Sequence, residues 1–167
     1  SAANAPLWGA LYRQYFEEIQ QVTASKGALQ VEKKLFVERN NGQRIELQPV
    51  TDGNPLHKGD KVIVRLTLRA DRDMEYVHLK DLRAGCFEPT QQMAGSSYKD
   101  GLWMYHAPED AAEHFFIHRL PKGTFVLEYA VYTERSGNYS GGISTIQCLY
   151  APEFVSLTAG SKILVQD

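Results

Sequence analysis

RLPKGTFVLEYAVYTERSGNYSGGISTIQCLYAPEF, Arg119 to Phe154, is the stretch whose reading decides the fold. Leu120-Pro121-Lys122-Gly123 is a turn signal, and Thr124 to Thr133 is rich in β-branched and aromatic residues. Phe125, Leu127, Tyr129 and Val131 hold alternate positions, so an extended chain places them on one face, with Thr124, Val126, Glu128 and Ala130 on the other. Ser136-Gly137-Asn138 marks a second turn, and the chain returns from Ile143 to Tyr150 before stopping at Ala151-Pro152. Two strands, each with an apolar face and joined by Gly/Asn-rich turns, must bury that face against another layer. The expectation is one edge-to-edge pair in the core of a β-sandwich.

The same alternation continues upstream. Leu29, Val31, Lys33, Leu35 and Val37 interleave with Gln30, Glu32, Lys34, Phe36 and Glu38, a strand with one wet face. Asn40-Asn41-Gly42 is a hairpin signal, because Asn-Gly tolerates the positive φ of a tight reversal. Arg44 to Val50 is the returning strand, and Pro49 places it at a sheet edge. Lys61 to Ala70 alternates most cleanly, with Val62, Val64, Leu66 and Leu68 facing in. Further strands are expected over Glu75 to Leu82, Leu102 to His106, Ala112 to His118 and Ser161 to Gln166. Gln91 to Gly101 reads as a flexible polar loop. The sum is eight or nine strands with little helix, an all-β, two-layer antiparallel sandwich. Trp8 to Val22 is the ambiguous segment: Trp8, Leu11, Tyr12, Tyr15, Phe16, Ile19 and Val22 fit helical spacing, and a strand over Trp8 to Phe16 is the alternative.

Composition bounds the function. The chain has 167 residues, the size of one domain, and a formal net charge of −2 from 18 basic and 20 acidic residues. That balance gives no electrostatic footprint for nucleic acid or an anionic membrane. No apolar run approaches the ~20 residues of a membrane span. Ser1-Ala2-Ala3-Asn4-Ala5-Pro6 lacks the basic start and apolar centre of a signal peptide. Residues 1–6 read as a linker or cloning remnant and 7–167 as one domain cut from a larger chain. Cys86 and Cys148 permit one disulfide in an oxidising compartment, and two free buried thiols are the equal alternative.

Gly59-Asp60-Lys61-Val62-Ile63-Val64-Arg65-Leu66-Thr67-Leu68-Arg69-Ala70-Asp71-Arg72-Asp73-Met74-Glu75-Tyr76-Val77 resembles the bacterial α2-macroglobulin-like proteins, and more narrowly their C-terminal macroglobulin module of MG10 type. Asp81 to Pro89, Leu120 to Phe125, Leu149-Tyr150-Ala151-Pro152-Glu153-Phe154 and Trp8-Gly9-Ala10-Leu11-Tyr12 extend the resemblance over most of the chain. It implies a macroglobulin or fibronectin-III-like sandwich, and for the first segment a strand at Trp8 to Phe16 with a helical turn at Glu17 to Val22. It further implies a large envelope protein, periplasmic or membrane-anchored through its parent, that traps proteases. A protease cuts a bait segment, and many members then bond to it through a Cys-x-Glu-Gln thioester. Here Cys86 is followed by Phe87-Glu88-Pro89 and Cys148 by Leu149-Tyr150-Ala151, so neither carries that chemistry. The resemblance implies a non-catalytic cover that packs on neighbouring domains.

Searched for chemistry on its own terms, the chain offers little. His114 and His118 stand four apart, but on a strand that is about 13 Å, too far to share an ion. His78 and His106 look unaccompanied. Asp71, Asp73 and Glu75 admit a calcium site, although a solvated corner with Arg69 and Arg72 as counterions is the better reading. Ser136 to Ser140 has no nucleophile elbow and Gly141-Gly142 no phosphate loop. No catalytic residue, cofactor or metal ligand is assigned. Tyr98, Trp103, Tyr105 and Tyr139 are the expected interdomain or ligand surface. The alternative function is a free-standing adhesion or carbohydrate-binding sandwich.

Overall fold

The computed structural model describes residues 27–40, 42, 44–99 and 101–167. The strand and helical turn expected between Trp8 and Val22 lie outside the described residues. Among those described there is no helix. Among the described residues fourteen strands form, more than the eight or nine expected, because several short edge segments also pair.

Five strands make the first sheet: β1 (Leu29–Asn40), β2 (Ile45–Pro49), β4 (Lys61–Ala70), β6 (Phe87–Pro89) and β10 (Gly123–Thr133), in the order β2-β1-β4-β10-β6. Six make the second: β5 (Met74–Leu82), β7 (Gly95–Lys99), β8 (Leu102–Pro108), β9 (Ala112–Leu120), β12 (Ser144–Cys148) and β13 (Ala151–Leu157), in the order β13-β12-β5-β9-β8-β7. A small third sheet, which the sequence did not suggest, joins β11 (Gly137–Ser140), β14 (Lys162–Gln166) and β3 (Leu56–His57). Its β14–β3 pair is parallel. The inward residues of all three form one core, including Val64, Leu66 and Val131 from the first sheet, Val77, Leu79 and Ile117 from the second, and Leu56 and Val165 from the third.

Local chemistry explains most of this. In β4 the expected inward set is buried while Ile63, Arg65 and Thr67 are half-exposed. The first hairpin closes with Asn40 opposite Ile45, Gly42 at φ 84°, and the Gly42 amide donating to Asn40 Oδ1 at 2.9 Å. Pro49 sits on an edge strand, where its missing donor costs nothing.

Two expectations are corrected. Thr124 to Thr133 and Ile143 to Tyr150 do not pair edge to edge: β10 pairs with β4 and β6, and β12 with β5 and β13, so they lie in opposite sheets. The Ser136–Gly142 connection carries its own strand and crosses between layers, as Greek-key sandwiches require. The supposed loop at Gln91 to Gly101 contains β7, paired with β8 from Gly95↔His106 to Lys99↔Leu102. Asp100-Gly101 was the missed signal, since Asp-Gly between strands favours a two-residue reversal and Gly101 has φ 86°.

Candidate functional site

The outer faces of the two large sheets differ in kind. On the five-stranded sheet, charges alternate and pair across strands: Lys61 Nζ lies 2.9 Å from Glu38, and Arg65 Nε 2.6 Å from Glu128 with its guanidinium 4.4 Å over the Phe36 ring. That is a solvated surface. The six-stranded sheet instead presents aromatic rings. Tyr98 faces Trp103 across β7–β8 with ring centres 5.6 Å apart, and Tyr105 faces Phe116 across β8–β9. Tyr76 on β5 meets His118 edge-on at 4.7 Å and Tyr150 at 5.0 Å. Trp103 is 64% exposed. A shallow groove of about 360 Å³ runs between Tyr76, Trp103, Tyr105, Phe116, His118 and Leu149.

Tyr76 is the sole non-glycine described residue with positive φ, at 53°. A side chain in that region costs about 1–2 kcal/mol. The strain shifts the inward–outward phase: Met74 and Val77 are both buried, and Glu75 and Tyr76 between them are both exposed. It therefore sets the Tyr76 ring on the aromatic face instead of burying it.

Of the four surface residues expected from the sequence, this face gathers Tyr98, Trp103 and Tyr105. Tyr139 lies elsewhere: on β11 it is half-buried against the core, its hydroxyl donating to the Ser136 carbonyl at 3.0 Å. The sequence did not single out Tyr76, Phe116, Leu149 or Tyr150 for the face. Phe116 was detectable, because it is out of phase with inward-facing Phe115 and Ile117.

Between the sheets lies a polar cluster that the sequence reading missed. Lys33 occupies the inward register of β1 and reaches Asp81 on β5, Nζ to Oδ1 2.8 Å, with Asp81 fully buried. The ammonium also donates to the carbonyls of Leu82 at 2.9 Å and Gly141 at 3.1 Å, so its three protons are all used. Asp81 also accepts from Ser144 Oγ at 2.8 Å and from the Tyr129 hydroxyl at 2.5 Å. Burial, then the Asp81 charge, holds the Tyr129 phenol well above its ordinary value, so it stays a donor. Gly142 makes the close approach feasible: a Cβ there would sit 2.0 Å from the Leu82 oxygen. Directly across β5–β9 from Asp81, Glu113 accepts from Arg83 Nη1 at 2.5 Å and contacts His106 Nε2 at 2.6 Å. Apart from Arg83 Nε, which is buried without a hydrogen-bond partner, these groups satisfy one another, and the arrangement pins the sheets in register. A lysine in an otherwise apolar alternation was the available signal.

His106 and His78 are thus not unaccompanied. His106 stacks on Phe115 with ring centres 4.5 Å apart, and His78 hydrogen-bonds His114. The acidic corner is held by internal cations: Asp71 pairs with Arg72, and Asp73 accepts from Arg119 at 2.9 Å and the Lys122 amide at 2.9 Å, Arg119 replacing the expected Arg69. Among the described residues no group of three or more His, Cys, Asp or Glu is placed to hold a metal ion. Cys86 and Cys148 are both buried free thiols in this structure, and Cys148 Sγ lies 3.6 Å from Met74 Sδ. Burial pushes the Cys86 thiol up to about 11 and raises that of Cys148 too. Neither is a nucleophile near neutrality.

Two stacked layers, an ion-paired interior and one aromatic outer face define an all-β sandwich module. A family model described as the bacterial alpha-2-macroglobulin MG10 domain matches residues 29–153, and the chain belongs to that family. No curated protein sequence matches it. Among solved structures, Salmonella alpha-2-macroglobulin reacted with methylamine superposes with TM-score 0.71 at 19% identity, covering 88% of this chain and 10% of that one. Native Escherichia coli alpha-2-macroglobulin from domain MG7 to the C-terminus gives 0.70 at 15%, covering 89% and 25%. The Escherichia coli protein activated by porcine elastase gives 0.70 at 16%, covering 87% and 14%. At these identities the likeness shows a shared fold. The chain spans about a tenth to a quarter of the length of these proteins.

Proposed function

We propose that this chain is a non-catalytic module of a bacterial α2-macroglobulin-like protease trap in the cell envelope, and that it packs on neighbouring domains of its parent through the aromatic face of the six-stranded sheet. The contrast between the two outer faces carries the reading. One is laced with ion pairs that need water. The other sets Trp103, Tyr105, Phe116 and Tyr76 side by side, at a backbone cost for Tyr76 that no core contact repays. A patch of that kind on a module spanning a small part of its relatives' length fits an adjoining domain of the same chain. Interfaces bury aromatics at their centre and leave charge at the rim. Asp73 and Arg119 at one end of the face and Lys80 and Glu109 at the other fit a rim.

The test uses the parent protein and this chain alone. Residual protease activity is measured with each, and again with a parent carrying Trp103→Ala and Tyr105→Ala. The chain alone should leave protease activity unchanged. The intact parent should reduce it, and the aromatic substitutions should weaken that reduction. Inhibition by the chain alone, or an aromatic-deleted parent indistinguishable from the original, would refute the reading. Saturable glycan binding by the chain alone would favour an adhesion module instead.

A further inference from the structure

His78 and His114 form a pair that neither the core nor the proposed docking explains. They lie diagonally across β5–β9, His78 opposite Phe116 and His114 opposite Lys80. His78 Nε2 and His114 Nδ1 are 2.9 Å apart, with ring planes 14° from parallel. Stacked ring faces come no nearer than about 3.5 Å, so these nitrogens meet edge to edge along one hydrogen bond. The outer nitrogen of His114, Nε2, is buried without a hydrogen-bond partner and lies 3.5 Å from a Glu109 carboxylate oxygen. The Phe116 ring stacks on His78 at 4.6 Å, which joins the pair to the aromatic face.

We propose that His78 and His114 form one proton-binding site that accepts one proton readily and resists a second, and that this proton sets the charge of the aromatic face. With no added proton, one ring donates across the 2.9 Å contact and the other accepts. The first proton goes to His114 Nε2, where it meets the Glu109 carboxylate and gives a buried orphan atom a partner. His114 then donates through Nδ1 to His78 Nε2, which must remain bare. A second proton would put two N–H groups nose to nose. Burial, then the charge of His114, then that of Lys80, holds His78 below its ordinary value. The groups facing the pair are Lys80 on β5, His118 further along β9, and Glu109 and Asp110 in the β8–β9 turn; β12 presents Thr145 and Gln147, β8 presents Tyr105 and Ala107, and β13 presents Val155. A metal ion does not fit between the facing nitrogens, since each bond would need about 2.0 Å along a 2.9 Å line.

The consequence for docking rests on the function proposed above. An apolar partner laid over the pair favours its uncharged form, so docking expels the proton. Affinity then falls as pH drops, by at most about tenfold per pH unit for one proton.

The test is imidazole NMR on this chain from about pH 8 to about pH 5, with the binding of the chain to a parent lacking the module measured over the same range. The first proton should shift both rings together, with the second step at least about one unit lower. His78→Gln and His114→Gln should each leave the remaining ring with one independent step. Two rings that titrate independently, each indifferent to loss of the other, would overturn the proton site. Coupled titration with pH-independent binding would overturn the link to docking. Coupled titration with no binding at any pH would refute the docking reading and leave the proton site standing.

Discussion

Replacing Asp81 tests the interior most sharply. Its carboxylate is fully buried and Lys33 is 9% exposed, so Asp81→Ala strands an ammonium among the Leu82 and Gly141 carbonyls. Removing one partner of a buried pair costs about 3–5 kcal/mol. The hydroxyls of Tyr129 and Ser144 also lose their acceptor, each at about 1–3 kcal/mol where it cannot relax. Domains of this kind hold about 5–15 kcal/mol in total, so the variant should be near its unfolding midpoint in dilute urea. Lys33→Met should cost about 3 kcal/mol, because Asp81 keeps two hydroxyl donors. The double variant Lys33→Met/Asp81→Ala strands no charge, and its loss should fall short of the sum of the single losses by about 2–3 kcal/mol. Urea unfolding followed by far-UV circular dichroism measures all three, with Asp81→Asn as the milder variant should Asp81→Ala not fold. Single losses under about 1 kcal/mol, or a coupling under about 0.5 kcal/mol, would refute the idea that this network pins the sheets.

Tyr76→Gly should raise the stability of the chain by up to about 1 kcal/mol, because glycine adopts φ 53° freely, while weakening association with the parent; thermal unfolding and a binding assay read the two effects separately. Gly142→Ala should destabilise by more than about 2 kcal/mol, since the new methyl meets the Leu82 carbonyl in a backbone at φ 71°, and chemical denaturation reports it. Cys86 should resist Ellman's reagent in the folded chain at pH 8 and react on unfolding. Its folded pKa near 11 lies above the ordinary 9.0, so the stability it contributes is present below about pH 9 and is lost as pH rises toward 11, as urea midpoints across that range would show.

The sequence made the strands legible where one face is dry and the other wet. Lys61 to Ala70 is such a case, because alternation is a direct imprint of the two-residue period of an extended chain. Pairing was less legible. Nothing local says that Thr124–Thr133 and Ser144–Cys148 belong to different sheets, since a crossing and a hairpin begin with the same turn residues. Short edge strands such as Gly95–Lys99 bury almost nothing and leave no apolar pattern. On the surface, Trp103 and Tyr105 are recognisable by their register beside buried Leu102 and Met104. Tyr76 is not, because its outward position depends on a backbone angle that composition does not encode. The Lys33–Asp81 pair spans 48 residues, so the lysine was visible as an exception while its partner was not.

Hydroxyl-radical footprinting of the parent protein against this chain alone tests the central claim most directly. The rings of Trp103, Tyr105, Tyr76 and Phe116 should be oxidised several-fold more slowly in the parent, while Tyr132 and Phe36 on the ion-paired sheet keep their rates. Unchanged oxidation of the first four, or protection confined to the second pair, would contradict the account.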